Sequence, residues 1–412
     1  MPRSVPPRPA VLVSLDWLRE GDPPFGLGAA SIASSLRSYG SHVRIVTDAV
    51  NRPEFSMSAF LNRVSEAISE AGARVLVGIG AFVWCEPEVQ TLLRVLCPKA
   101  DVVLGGPQIS YAWPGRLEQL YPGARYFVRG NGEFAMVLLA AGHAENGLHG
   151  IHVAGMPDLC TRADFPLDGL PSPHLDGTSP ISGFVRWETQ RGCQFACTFC
   201  QHRQPGARLL NSNLATGRLR REMAAFRDAG TCKVAVLDPI FNTDVGRAVD
   251  LLGCLKETRI GAHLSLQCRF ELVTDAFLDA VEPLDATLEF GLQTVHDDEA
   301  RAVGRPNHMG SVESAIAKLN RRRIPYEVSL IYGLPFQTAE RFRDSVNWCL
   351  ERGVPKVRAW PLMLLRGTKI HTEREKWGYV ESVGERIPIV VESRWFSRGE
   401  HSRMADIASS LT

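Results

Sequence analysis

The sequence predicts an α/β chain in two parts: a doubly wound parallel sheet in front and a six-unit, barrel-like parallel sheet behind. Three observations carry this. Short apolar runs alternate with helix-length amphipathic stretches once before about residue 155 and again after residue 184. Between the two series, residues 156–183 are dense in Pro, Gly, Asp and Ser, the composition of a linker. Directly after the first strand of the second series, RGCQFACTFCQHR places three cysteines within eight positions. The expected division is 1–155, linker 156–183, barrel 184–380 and a C-terminal extension at 381–412.

In the front part, strands are expected at 11–15, 42–46, 75–79, 102–104 and 126–128, with helices at 28–37, 57–70, 88–97 and 114–120. Short buried strands alternating with helices imply a parallel sheet covered on both faces. The fixed handedness of such crossovers makes the sheet doubly wound, or Rossmann-like. Ligands on these sheets lie beyond the carboxyl ends of the strands. Those ends carry Gly78-Ile79-Gly80, Gly105-Gly106-Pro107 and Gly130-Asn131-Gly132-Glu133. Glycines there serve either tight turns or close approach of backbone to a ligand.

In the second part, strands are expected at 184–188, 233–237, 263–267, 286–290, 326–331 and 356–361. Helices are expected at 216–229, 245–257, 275–281, 309–321 and 339–352. Six βα units describe a partial (β/α)6 barrel, whose chemistry belongs at the carboxyl ends of its strands. The last 30 residues show no strong pattern and are expected to cap the barrel.

Composition narrows the function classes. The chain has 412 residues, 45% of them apolar, and a formal net charge of +1. That length suits two or three domains. The charge gives no reason to expect nucleic acid or an acidic membrane surface as partner. The longest apolar runs are strand-length, far below the roughly 18 residues that span a bilayer. The opening MPRSVPPRPAVLVSLD lacks the long apolar core of a signal peptide. Ten cysteines, mostly isolated, do not form a disulfide framework, so a reducing cytoplasm is expected.

Cys193, Cys197 and Cys200 have the spacing C-x3-C-x2-C. Three thiolates on a loop after a strand suit iron–sulfur or zinc ligation. Structural zinc takes four protein ligands, and His202 is the nearest candidate for a fourth. The stretch WETQRGCQFACTFC, opening a six-unit barrel and including Phe199 just before the third cysteine, resembles the cluster loop of the radical S-adenosylmethionine (radical SAM) superfamily. The resemblance implies a 4Fe–4S cluster on Cys193, Cys197 and Cys200, with the fourth iron open for the amino and carboxylate groups of S-adenosylmethionine. It also implies reductive cleavage of that cofactor to a 5′-deoxyadenosyl radical, and an external electron donor of the flavodoxin, ferredoxin or reductase type.

The same resemblance assigns further strand ends. Asp238 and Asn242, in LDPIFN, stand where the family places a Gly-Gly-Glu-like stretch for the cofactor's amino group, although the glycine pair is missing. Gln267 and Arg269 end the next strand, where a guanidinium suits the cofactor carboxylate. Glu289, in LEFGLQT, is similar to the family's ribose contact, and Gln293 ends that stretch. Ile331-Tyr332-Gly333-Leu334-Pro335 resembles the adenine contact of the fifth strand. The stretch 361–368, with Leu364, resembles the sixth. Any one of these alone reads equally as a helix cap, a surface charge or an ordinary loop.

The front part resembles the cobalamin-binding domain that precedes many radical SAM domains. Pro23-Pro24-Phe25-Gly26-Leu27-Gly28, Gly105-Gly106-Pro107 and Arg129-Gly130-Asn131-Gly132-Glu133 carry that likeness. The Asp-x-His-x-x-Gly motif of other cobalamin proteins is absent, and His42 is the only histidine before position 143. Several members of that class bind cobalamin without a protein imidazole, and such a fold also persists without the cofactor. Trp84 and Tyr111 are candidates to pack on a corrin ring or to fill the core.

Two reactions follow. In the first, the radical abstracts hydrogen from a polar small molecule, which then dehydrates, rearranges or epimerises. In the second, cobalamin carries a methyl group to carbon. The missing lower ligand and short tail lean toward the first. Asp238 and Glu327 are read as substrate-binding, lining an acidic pocket for a cationic molecule such as an amino sugar. Tyr332 and Cys268 are candidate hydrogen-atom or proton donors. A non-catalytic iron–sulfur or cobalamin sensor is a third reading. RNA modification is disfavoured by the near-neutral charge and the lack of a basic domain.

Overall fold

The computed structural model describes residues 6–23, 26–163, 166–202 and 212–411. Pro24 and Phe25 of the proline–glycine stretch, and the first five residues, lie outside the described residues. The chain divides into two compact units, Met1–Ile181 and Ser182–Thr412.

The first unit is built on β1 (Ala10–Asp16), β2 (Val43–Ala49), β3 (Leu76–Gly80), β4 (Asp101–Gly105), β5 (Tyr126–Val128) and β6 (Ile151–Val153). Their order in the sheet is β2-β1-β3-β4-β5-β6, parallel except for the last pair. Alternation sends Val11, Val13 and Leu15 to one face with Phe60 and Leu92, and Ala10 and Leu12 to the other with Ala33, Leu36 and Leu139. Both faces are therefore core, as apolar β1 requires. The order reverses between β1 and β3, where such sheets open a crevice at their carboxyl ends.

Three features of this unit differ from expectation. The antiparallel edge strand β6 was too short to stand out. The helix Gly132–Ala141 starts inside the glycine stretch that reads as a loop. Segment 156–181, expected as a linker, belongs to the first unit. Buried Arg129 pairs with Asp158 at 2.7 Å and also donates to the carbonyls of Ile109 and Ala112. Burial would raise the Asp158 carboxyl, but the Gly115 N–H, Arg129 and the Cys160 N–H hold it at about 2. Further along, Ser34 donates to Asp176 and Arg37 donates to Thr178. Polar residues that look like linker composition are here partners for donors at the end of β5 and on the helix Leu27–Tyr39.

The second unit contains β7 (Phe184–Trp187), a small antiparallel ladder of β8 (Gln190–Arg191) and β9 (Ser212–Asn213), then β10 (Lys233–Val236), β11 (His263–Cys268), β12 (Ala286–Gln293), β13 (Tyr326–Tyr332) and β14 (Val357–Pro361). The main sheet runs β14-β13-β12-β11-β10-β7 and is parallel throughout. Consecutive order with parallel pairing is barrel topology, left open between β7 and β14. The C-terminal extension forms a hairpin of β15 (Val380–Glu381) and β16 (Val390–Glu392), then the helix Arg398–Ser409. That helix packs beside Ala339–Glu351 and β14. It starts at a capping box in which Ser397 and Glu400 each accept from the other's backbone N–H.

Candidate active site

The barrel's two faces differ. Leu264, Leu266, Cys268, Leu288, Phe290, Val328 and Leu330 point to the helical layer and are buried. Strand register puts Ser265, Gln267, Thr287, Glu289, Gly291, Glu327, Ser329, Ile331, Arg358 and Trp360 on the opposite, inner face. Gln267 is exposed there and Glu289 half-buried.

The cysteine loop leaves the end of β7 and is tied down on every side. Asp238, just after β10, is fully buried and accepts from the N–H groups of Thr189 (2.7 Å) and Gln190 (3.1 Å) and from the Thr189 hydroxyl. Burial pushes its carboxyl up to about 6 despite those bonds and nearby Arg247. Gln190 donates to the Ile240 carbonyl at 2.6 Å, and Arg247 to the Thr189 carbonyl at 2.7 Å. Between the last two cysteines, Thr198 N–H donates to the Val303 carbonyl and the Thr198 carbonyl accepts from Ile370 N–H, and just beyond them the Gln201 amide donates to the Arg366 carbonyl.

Within the loop, burial raises all the more the thiol already crowded by its neighbours: Cys200 is pushed up to about 11, with Cys197 and Cys193 adding to the rise. Burial also raises Cys193. Thiols such as Cys193 and Cys200, which burial keeps from ionising, are stabilised as thiolates by a bound cation. No three His, Cys, Asp or Glu side chains among the described residues converge as ligands of a single ion. A cluster asks something different, because each thiolate bonds its own iron. The soft donor set fits an iron–sulfur cluster. A second sign of fit is Arg305, a buried guanidinium that donates to Cys197 Sγ at 3.7 Å.

Of the expected residues, Phe199 and Arg269 lie at this loop, and the others lie along the strands and the loops that follow them. Phe199 is half-buried within it. The Arg269 guanidinium stacks on Phe195, between the first two cysteines, at 3.8 Å and pairs with Glu271 at 3.0 Å. Glu289 accepts from Ser265 on the inner face. Gln293 has φ 72° at a bulge in β12, and its amide folds over Gly291. Ile331 lies on the inner face, and Leu364 is buried beyond β14. Gly333 has φ 95°, and its N–H and that of Leu334 donate to the Gln337 side chain at 2.7 and 3.2 Å.

Other expectations fail on geometry. Asp238 faces the backbone of the cysteine loop, so it positions that loop instead of lining a pocket. Asn242 is fully buried and forms a reciprocal pair with the Arg269 backbone, at 3.0 and 2.9 Å, so both ends of its amide are engaged. Glu327 is paired with Arg358 at 2.9 Å and Lys356 at 3.5 Å, which removes the acidic character expected of the cavity. Tyr332 lies on the helical side, packed between Phe342 and His401. Cys268 shares the face of Leu264 and Leu266, away from Gln267, and burial holds its thiol well above the usual range. Neither can reach a molecule on the inner face.

Three residues were missed. Glu299, fully buried, accepts from Thr294 (2.6 Å), Arg341 (2.5 Å) and the Gln337 amide (3.1 Å). Gln337 passes this restraint to the Gly333 loop. Arg305 is the third. Gln337, in GLPFQT, follows the recognisable glycine loop and was within reach of motif reasoning; Glu299 and Arg305 carry no spacing signal.

At the carboxyl end of the first sheet most glycines are occupied by the chain itself. A Cβ on Gly78 would meet Leu12 and Met136, one on Gly80 would meet Phe82, and one on Gly106 would lie 2.8 Å from the Ala81 carbonyl. A Cβ on Gly105 would make only an ordinary contact, 3.9 Å from the Val128 carbonyl, and one on Gly28, at the start of the helix that follows β1, would meet nothing within 4 Å. Trp84 stacks on Phe82 at 4.6 Å and donates to the Leu15 carbonyl, and Tyr111 is buried beneath Arg162. Both are packing residues. Trp17, after β1, and Trp113, beyond β4, are instead 38% and 40% exposed. Exposed indoles and an open glycine in the segments that follow these strands fit a large, partly apolar ring better than a small polar ligand. His42 is exposed at the opposite end of its strand.

Residues 187–349 match the radical SAM superfamily model. The cobalamin-dependent radical SAM methyltransferase TokK of Streptomyces tokunonensis is 24% identical over 376 residues, covering 83% of this chain and 54% of that protein. The 2-(S-pantetheinyl)-carbapenam-3-carboxylate methyltransferase of Streptantibioticus cattleyicolor is 24% identical over 380 residues, 79% of this chain and 54% of that one. The chain thus spans about half the length of these curated relatives. Among solved structures, the radical S-adenosylmethionine methyltransferase TsrM of Kitasatospora setae superposes with a TM-score of 0.77 at 15% identity, covering 98% of this chain and 89% of that one. The cobalamin-dependent radical enzyme OxsB superposes with a TM-score of 0.65 at 13% identity, covering 82% and 52%. The fold and the cysteine site define a radical SAM protein with a Rossmann-like unit in front of a partial barrel. Residues 187–349 form a radical SAM domain, and the front unit has the fold of a cobalamin-binding-like domain.

Proposed function

We propose that the protein is a cobalamin-dependent radical SAM methyltransferase acting on carbon of a small molecule. The observation that carries this is the superposition on TsrM over nearly the whole of both chains, joined to two curated relatives that are methyltransferases. It removes the argument that a short tail disfavours methyl transfer. The alternative, a corrin-free hydrogen abstraction on an amino sugar, loses its main support because Glu327 is already neutralised and Asp238 faces backbone.

When bound, the cluster supplies an electron to the sulfonium of S-adenosylmethionine, and cobalamin supplies a methyl carrier. The chain's own residues do the rest. Cys193, Cys197 and Cys200 hold the cluster. Asp238, Thr189 and Gln190 fix the loop that carries them. Gln267 and Glu289, on the inner face, are placed to receive the cofactor's polar groups, with Arg269 at the rim. Ile331 and the Gly333 loop offer an apolar surface to adenine, and Gln337 and Glu299 keep that loop in place. Trp17, Trp113 and Gly28 are the groups of the front unit assigned to the corrin side. A small-molecule substrate and an external one-electron donor complete the reading. Among the described residues no helix is long and apolar enough to cross a membrane.

Labelled S-adenosylmethionine tests this. With hydroxocobalamin, a low-potential reductant and a panel of small polar carbon acids, S-adenosylhomocysteine is the expected coproduct. Formation of 5′-deoxyadenosine alone, unchanged by corrin, would refute methyl transfer.

A further inference from the structure

Arg305 has no role in the reading above, yet its setting is unusual. It follows the helix Asp297–Ala302 and is 9% exposed. One terminal nitrogen donates to Cys197 Sγ at 3.7 Å, and the other donates to the Gly291 carbonyl at the β12 bulge. Its Nε–H is buried without an acceptor. Among the described residues no carboxylate pairs with it. A guanidinium keeps its charge at any accessible pH, and burying it unpaired is strongly unfavourable. Every other buried arginine with a comparable position has an anion: Arg129 has Asp158 and Arg269 has Glu271. What lies beside Arg305 is the cysteine loop. Gly304, the preceding residue, has φ 63° and packs so tightly on Ala196 that a Cβ there would come 2.8 Å from its carbonyl. The guanidinium is therefore held against the loop by backbone as well as by its own bonds.

We propose that Arg305 is the counter-ion of the cluster: its charge offsets the negative cluster, its unpartnered Nε–H is reserved for a cluster sulfur, and it sets the reduction potential. The proposal rests on the cluster assigned to the three cysteines. Reduction adds negative charge, which a fixed cation nearby stabilises, so Arg305 favours the reduced form. Through the Gly291 carbonyl the same side chain locks the β12 bulge, and with it Gln293, to the cluster loop. Arg305 is a positioning and tuning residue; nothing places it on a reacting atom.

The test is a reductive titration of the reconstituted full-length protein followed by electron paramagnetic resonance, on wild type, Arg305→Gln and Arg305→Lys. Iron and sulfide content are measured on each. Wild type without iron would sink the cluster reading itself, independently of Arg305. With iron present, Arg305→Gln is expected to disfavour reduction at least about ten-fold, a shift of about 59 mV to more negative potential. Arg305→Lys keeps the charge and is expected to stay within a few-fold of wild type. Loss of the cluster in the Gln variant but not in the Lys variant supports the same role. An unshifted potential in an iron-replete Gln variant overturns it, as does equal loss of iron in both variants. Should the Gln variant not fold, the Lys variant decides: retained iron at near wild-type potential upholds the proposal, and loss overturns it.

Discussion

The strand ends of the first unit present backbone and indole surface, whereas those of the second present charged and amide side chains whose partners are nearly all assigned. Beyond β3 and β4, glycines let loops lie on one another, and Trp17 and Trp113 stay exposed. Beyond β7, β10, β11 and β12, Asp238, Asn242, Arg269 and Arg305 are buried and bonded to the cysteine loop or its supports. The difference teaches what each end is for. A surface of open glycine and aromatic rings accommodates a large ligand with little cost in desolvating polar groups. A loop that must hold three thiols in fixed geometry needs directional bonds, and buried polar networks of that kind rigidify when every member is satisfied.

The sharpest way to break this contrast is to remove a thiol. Cys193→Ala, Cys197→Ala or Cys200→Ala should each reduce iron binding to background and abolish cleavage of S-adenosylmethionine, while corrin retention by the first unit persists. Iron assay and absorbance read both.

Next in size is the buried carboxylate. Asp238→Ala strands the Thr189 and Gln190 N–H groups and should cost about 3 kcal/mol in urea unfolding. The pH dependence gives a finer reading. Its folded-state carboxyl lies near 6, above its ordinary value, so the native state binds the proton more tightly than the unfolded chain. Its contribution to stability is full below pH about 4 and is lost as pH rises through about 6, by about 2–3 kcal/mol. Asp238→Asn should flatten that part of the stability profile of the cluster-free protein while leaving the loop in place.

A smaller effect is expected at the Gly333 loop. Gln337→Ala removes the acceptor for two backbone N–H groups, and the Kd for S-adenosylmethionine, measured calorimetrically on iron-replete protein, should rise roughly ten-fold, about 1.4 kcal/mol. Unchanged affinity would separate that loop from cofactor binding. The smallest effects are expected on the helical side of the barrel. Tyr332→Phe and Cys268→Ala should leave turnover within about two-fold, because both side chains point away from the inner face. A large loss of turnover with unchanged folding would contradict the assignment of faces.

Much of this contrast was legible in the sequence, and unevenly so. The apolar alternation of β1, β11, β12 and β13 set both sheets and the place of the cysteine loop, because period and strand length constrain backbone strongly. The direction of individual side chains was harder. Tyr332 and Cys268 sit one residue from positions on the inner face, and a one-residue difference in a strand reverses the face. Asp238 and Glu327 looked like pocket carboxylates because their partners, the Thr189 backbone and Arg358, are 49 and 31 residues away in sequence. Arg305 and Glu299 were invisible for the same reason: their meaning lies in partners brought near only by the barrel. The helix at 398–409 was missed although Ser397 and Glu400 carry the spacing of a capping box, a signal that was there to read.

The measurement that bears most directly on the central claim is cofactor content after anaerobic reconstitution with iron, sulfide and hydroxocobalamin followed by desalting. Iron and sulfide near four per chain together with one retained corrin per chain is the expected result. Iron–sulfur content at that level with no retained corrin would contradict methyl transfer by this protein.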